Sequence, residues 1–254
     1  MIIDTHAHLH FDDYSGQVNQ VVEQALKGGV EAIVNVGIDL DDNKKAIKLA
    51  ERFENVYAAV GNHPHGAADD IDESVFDEIK KLSDHDKVKA IGEIGYDFYK
   101  SEFAEESQTK MFSRMLDIAV DVKLPVIVHS REAEGETLTL LSEYEKKVRG
   151  VVHCFSGSLM FAQALLDMGY LISFTGVATF KNATGIRDII KEIPLEKIMV
   201  ETDCPYLAPD PYRGKRNEPA YVTYIAEKIA QVKGVSFDEV CRVTTATARE
   251  FFNL

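Results

Sequence analysis

The chain of 254 residues has no tryptophan, three cysteines, seven prolines and a shortage of basic side chains, 28 against 42 acidic. Each shortage excludes something. Cys154, Cys204 and Cys241 are odd in number, far apart and form no Cys-x-x-Cys pair, so no disulfide framework is expected and the thiols read as reduced. The formal net charge of −14 argues against a general nucleic-acid-binding surface, because phosphate contacts rest mainly on lysine and arginine. It leaves room for an anionic substrate at a site that carries its own positive charge. The apolar runs fall far short of the roughly 20 residues that cross a bilayer. No basic segment with an apolar stretch precedes the first strand-like run, so no signal peptide and a cytoplasmic location are the expectation. Linkers, low-complexity tracts and long repeats are missing too.

What the chain does have is a hydrophobic fraction of 45%, enough for a sizeable core. Short runs rich in valine and isoleucine recur at Ile2–Thr5, Ala32–Val36, Tyr57–Val60, Ala90–Gly92, Val126–Val128, Val151–Val152, Leu171–Phe174 and Ile198–Glu201. They are continuously apolar, as parallel strands buried on both faces are. Between them lie amphipathic stretches. In Gln108–Val122, for instance, Met111, Met115, Ile118, Ala119 and Val122 recur at spacings of three and four. Two more helices are expected at Tyr221–Val232 and Phe237–Phe251. Eight strand–helix alternations predict an α/β fold: a TIM-type (β/α)8 barrel forming a single domain over residues 1–254, with an extra C-terminal helix. An open doubly wound sheet is the rival arrangement.

The segment "MIIDTHAHLH" sets His6, His8 and His10 at alternate positions behind an apolar run. Along a strand, residues i and i+2 face the same way about 7 Å apart, so His6 and His8 can reach one cation. His10 lies where the chain is already turning into a loop. Further metal-competent side chains close other strands: Glu93 after "AIG", His129 in "PVIVHS", His153 in "GVVHCF" and Asp203 in "IMVETD". Barrel enzymes place their chemistry at such C-terminal strand ends. A single buried histidine is usually structural, but six such groups on one rim call for cations to offset the carboxylates.

Six ligands exceed one tetrahedral zinc and suit two ions bridged by a carboxylate and a hydroxide. The spacing assigns His6, His8, Glu93 and Asp203 to one ion and Glu93, His129 and His153 to the other, with Glu93 shared. Imidazole and carboxylate without thiolate fit zinc, manganese, nickel or iron, and magnesium less well. Two dications against two carboxylates and a hydroxide leave the site near +1 inside an acidic protein.

Neighbouring residues divide between substrate contact and ordinary structure. Cys154 and Cys204 follow ligands by one position and read as packing residues. Glu201 shares the face of Asp203 and either orients a ligand or pairs with a nearby cation. His63 and His65 in "VGNHPHG" fall on the rim, His63 as a substrate contact and His65 as a structural group. Arg131 in "HSREA" is placed for phosphate or for a salt bridge to Glu132 or Glu134. "YRGKRNEP" packs Arg213, Lys215 and Arg216 into the loop after strand eight, a solvated charge run elsewhere but a candidate phosphate clamp on the catalytic face.

In this order, "DTHAHL", "GNHPH", "GEIGYDFY", "PVIVHSREA", "HCFSG", "VETDCPYLAP" and "RGKRNEP" resemble the TatD family of metal-dependent deoxyribonucleases, within the amidohydrolase-like barrels. The resemblance covers essentially the whole chain. It implies a TIM-type barrel, a divalent metal pair on His6, His8, Glu93, His129, His153 and Asp203, and hydrolysis of DNA phosphodiester bonds. Tyr96 stands where the family usually has leucine, and Glu132 where it has aspartate. The expected mechanism is attack by a metal-activated bridging hydroxide, with Asp203 taking up the proton. Little sequence specificity, no membrane association and no obligate protein partner are expected. The alternatives are hydrolysis of an amide, ester, lactone or phosphotriester in a small molecule, and a non-catalytic metal-binding module.

Overall fold

Continuous runs of β-branched residues become central strands here because both of their faces are covered. The computed structural model describes residues 1–68 and 71–254. The strands are β1 (Ile2–Ala7), β2 (Val30–Val36), β3 (Val56–Val60), β4 (Val88–Asp97), β5 (Val126–Arg131), β6 (Gly150–Val152), β7 (Leu171–Phe174) and β8 (Ile198–Val200). The helices are α1 (Val18–Lys27), α2 (Leu40–Ala50), α3 (Glu73–Leu82), α4 (Glu105–Val122), α5 (Glu134–Glu143), α6 (Leu159–Asp167), α7 (Thr184–Glu192), α8 (Val222–Lys233) and α9 (Phe237–Phe252). The strands form one parallel sheet in chain order, β1 to β8. This is the topology of a TIM-type (β/α)8 barrel with α9 as the extra C-terminal helix, as expected from the alternation. Among the described residues no helix is long and apolar enough to cross a membrane.

By contacts the chain divides into two compact units. The first comprises residues 1–35, 154–156 and 172–254. In it β1 pairs with β2 through Ile3 and Ala32, and β7 with β8 through Ile172 and Ile198. Ala7 bridges to Cys204, and the His6 carbonyl accepts the Asp203 N–H at 2.9 Å. Helix α9 starts at Ser236, whose hydroxyl accepts the Glu239 N–H. It buries Val240, Val243, Ala248, Phe251 and Phe252 along one stripe. Burial of one such aromatic side chain contributes about 2–3 kcal/mol.

The second unit comprises residues 36–153 and 157–171, with β3 to β6 and α2 to α6. Helix α4 buries Met111, Met115, Ile118 and Ala119 of the stripe read from the sequence, together with Phe112 and Leu116, while Val122 is only partly buried. Asp39 caps α2 by accepting the Asp42 N–H, and the Asn43 side chain binds both the N–H and the carbonyl of Gly61. Those two bonds fix the chain just before His63.

Strand β4 corrects the sequence reading. It does not stop at Gly92 but runs on to Asp97, so Glu93 lies inside the strand. The reason is pairing with β5: Ile94, Gly95, Tyr96 and Asp97 lie opposite Val128, His129, Ser130 and Arg131. Gly95 has φ +141°, and any Cβ there would run into the carbonyl oxygen of His129. A glycine is therefore the condition for bringing β4 against β5 at the level of His129.

Gly95→Ala is expected to lower unfolding stability by about 3 kcal/mol, the cost of overpacking against backbone. Gly135→Ala in α5, where a Cβ meets nothing within 4 Å, should raise stability by about 0.5–1 kcal/mol. Urea unfolding midpoints of the two variants check both signs.

Candidate metal-binding active site

In the first unit His6 sits on β1 and His8 one residue past its end, both buried. Their Nε2 atoms are 3.2 Å apart, so the alternation does turn the two imidazoles to one point. Asp203 Oδ1 completes the group, 3.5 Å from His8 Nε2 and 3.8 Å from His6 Nε2. Facing imidazole nitrogens at that separation hold at most one hydrogen between them, and a carboxylate beside them favours a cation. These three residues could hold a metal ion. His10 is not part of the group; its Nδ1 lies 3.2 Å from Asn35 Oδ1.

Asp203 stands beyond β8 with φ +54°, a left-handed conformation that aspartate tolerates better than most residues. A buried network holds the segment in place. Asp4 accepts the Thr202 N–H at 2.8 Å and the Thr202 hydroxyl at 2.6 Å. Burial is the main cause that pushes the Asp4 carboxyl up to about 8. Glu201, also buried, accepts the Cys154 N–H at 2.6 Å. It thus fixes backbone next to a histidine, as an orienting group would. Cys204 is fully buried, as a packing residue should be, but Cys154 is only partly buried. Its φ of +45° breaks the alternation on which the packing assignment relied.

In the second unit Glu93 is the hub. Its Oε1 lies 2.7 Å from His129 Nδ1, 2.7 Å from His153 Nε2 and 3.4 Å from His63 Nε2. His129 Nδ1 and His153 Nε2 are 3.2 Å apart. Glu93, His129 and His153 therefore meet, as the strand ends predict. Burial alone would push the Glu93 carboxyl up, but His153, His63 and His129 outweigh it and hold it well below the usual carboxylate range. Burial also opposes charge on His129, yet Asp97 and Glu93 raise its pKa above the ordinary imidazole value.

Asp97 is the residue that sequence reasoning missed. It is 1% exposed. Its Oδ2 lies 2.9 Å from His65 Nε2 and 3.3 Å from His129 Nε2. Its Oδ1 accepts the N–H groups of Tyr99 and Lys100. A carboxylate behind a ligating imidazole fixes the ring and its tautomer. The signal was present, since Asp97 ends the "GEIGYD" run, but its partners are distant in sequence.

His63 is close enough to Glu93 and His129 to be grouped with them around an ion. Its hydrogen bonding argues for another role. Burial lowers its pKa and outweighs the opposing pull of Glu93. Nδ1 accepts the His65 N–H at 3.1 Å, so Nε2 carries the hydrogen. It can donate to a carboxylate or phosphate oxygen but offers an ion no lone pair.

The basic residues separate. Arg216 donates to the Asp13 carbonyl, Gln17 Oε1 and Glu218 Oε1, and lies over Tyr14 at 4.8 Å. It ties the loop down. Arg213 and Lys215 are exposed; the Arg213 guanidinium sits 4.2 Å over Phe180. Arg131 lies 4.1 Å over Tyr99, while Glu134 is engaged with Ser158.

The donor set fits divalent cations: imidazoles with a carboxylate in each cluster, nearly dry, and no thiolate. Eight parallel βα units carrying such clusters near their C-terminal strand ends define a metal-dependent hydrolase. The family model described as TatD related DNase matches residues 3–253, and the chain belongs to that family. It is 41% identical over 255 residues to the metal-dependent hydrolase YabD of Bacillus subtilis, covering all of both chains. It is 32% identical over 259 residues to the 3'-5' ssDNA/RNA exonuclease TatD of Salmonella typhimurium, covering 100% of this chain and 99% of that one. The crystal structure of YjjV, a TatD homolog from Escherichia coli K12, superimposes with a TM-score of 0.91 at 28% identity, covering 100% and 98% of the two chains.

Asp97→Asn keeps an oxygen for the Tyr99 and Lys100 N–H groups and turns an amide toward His129. It should weaken metal binding at the Glu93–His129–His153 cluster by about 10- to 100-fold and spare the His6–His8–Asp203 cluster. Competition titration against a chromophoric chelator separates the two affinities.

Proposed function

We propose that the 254 residues act as one catalytic domain that hydrolyses phosphodiester bonds in DNA, with a divalent ion in each cluster. The observation that carries this reading is the Glu93 carboxylate held between His129 and His153 in a nearly dry setting. The name of the Salmonella relative supports a nucleic-acid substrate. Zinc, manganese, nickel and iron suit the imidazole-rich sets, and magnesium suits them less. Bound divalent ions polarise phosphoryl oxygens and lower the pKa of water toward neutrality.

The chain's own groups do the rest. His6, His8 and Asp203 would hold one ion; Glu93, His129 and His153 would hold the other. Asp203, partly open to solvent, takes up the proton of the attacking water. His63 donates its Nε2–H to a phosphate oxygen in place of Glu93. Arg213 and Lys215 supply the positive charge that the acidic chain otherwise lacks, and Arg131, the last residue of β5, is a further candidate for phosphate contact. Arg216 serves the same end by keeping the loop closed against Asp13. Among the described residues no element presents a set of side chains for reading base edges, so cleavage follows backbone chemistry with little sequence preference. The reaction belongs to the cytoplasm, where free cysteines stay reduced.

Metal-stripped protein should be inactive on labelled single- and double-stranded DNA and regain activity as single divalent ions are restored. Glu93→Gln and Asp203→Asn should each lose about 10³-fold while remaining folded by circular dichroism. The pair Arg213→Gln and Lys215→Gln should depress diester cleavage about tenfold and leave a neutral ester untouched. Fast turnover of neutral esters with no cleavage of DNA would contradict the proposal.

A further inference from the structure

Two aromatic residues in the first unit follow candidate ligands by three positions, and each closes a turn with a backbone hydrogen bond to that ligand. The Phe11 N–H donates to the His8 carbonyl at 3.2 Å, and the Tyr206 N–H donates to the Asp203 carbonyl at 3.0 Å. Each turn thus carries an aromatic ring at a fixed offset from a metal-competent side chain. The Phe11 ring stacks on the His8 imidazole, with centroids 4.7 Å apart and planes 12° from parallel. Tyr206 meets Phe11 edge to face at 6.4 Å and 70°.

Tyr206 leaves 54% of its surface exposed. An exposed aromatic on a loose loop would mean little. Here the backbone is clamped. The Tyr206 carbonyl accepts Asn217 Nδ2 at 2.6 Å, and the same amide group donates to the Thr202 carbonyl at 2.8 Å. Asn217 is fully buried, and its own carbonyl accepts the Tyr14 hydroxyl at 2.6 Å. The backbone that carries the ring is therefore held at a set distance from Asp203 while more than half of the residue's surface stays exposed. A preorganised aromatic face loses little freedom when a planar ligand covers it.

We propose that Tyr206, backed by Phe11, is a stacking subsite for a nucleobase of a single-stranded nucleic acid, placed beside the residues that hold the His8–Asp203 ion. The subsite rests on the nuclease reading above and names what that reading leaves open: how an acidic chain grips its substrate next to the scissile phosphate. Stacking accepts every base, because every base has a π-face, and it needs no net positive charge. It also favours single strands, whose bases are free to unstack.

The test is fluorescence anisotropy of metal-loaded protein with two labelled decamers, oligothymidylate and a wholly abasic strand with the same phosphates. Wild type should bind the thymidylate strand about 5- to 100-fold more tightly than the abasic one. Tyr206→Ala should erase most of that preference without changing affinity for the abasic strand, and Tyr206→Phe should keep it. Phe11→Leu should reduce the preference in part. Equal affinity of wild type for the two strands, no detectable binding of either, or a Tyr206→Ala variant that keeps the preference or weakens both strands alike would overturn the subsite. Failure of the nuclease reading shows separately, as absence of metal-dependent cleavage in the assay above.

Discussion

The imidazole of His129 lies between two buried carboxylates, one hydrogen-bonded to it and one within ion-pair distance, and the second unit is arranged to keep all three together. Glu93 Oε1 lies 2.7 Å from its Nδ1 and Asp97 Oδ2 lies 3.3 Å from its Nε2. Both carboxylates come from one strand and are at most 3% exposed. Two such groups in a dry setting repel each other unless positive charge stands between them. Asp97 and Glu93 raise the pKa of His129, and a divalent ion would answer the same demand for positive charge. A site whose own electrostatics call for a cation is the physical content of belonging to a family of metal-dependent hydrolases.

The backbone follows from the same requirement. Glu93 and Asp97 face His129 together only if β4 continues past Gly92 and lies close against β5, which Gly95 permits. The first unit solves a parallel problem with side-chain hydrogen bonds. Asp4 and Asn217 hold the segment 202–206, so Asp203 and Tyr206 project from a fixed turn. In both units the candidate ligands are supported by buried polar residues that hydrogen-bond to the neighbouring backbone.

Much of this was legible in the sequence. Alternate spacing gave His6 and His8, and the ends of apolar runs gave His129, His153 and Asp203. Periodicity placed the two C-terminal helices, expected at Tyr221–Val232 and Phe237–Phe251, within a residue of α8 and α9. What the sequence hid was tertiary. The apolar run reads as ending at Gly92, whereas Gly95 is what lets β4 continue. Asp97 looks like one acid among 42, because its partners His65 and His129 are 32 residues away in either direction. The loop arginines look alike on paper, yet Arg216 is bound to the Asp13 carbonyl and Arg213 is exposed over a phenyl ring. His63 reads as one more imidazole on the rim until the His65 N–H is seen to occupy its Nδ1 lone pair.

The most direct test of the central claim is the metal content of purified protein, saturated with zinc or manganese, desalted and measured by mass spectrometry. The account predicts two equivalents per chain, with His8→Ala and His129→Ala each removing one and the double variant both. A wild-type chain that retains none, or variants that keep the full complement, would contradict it.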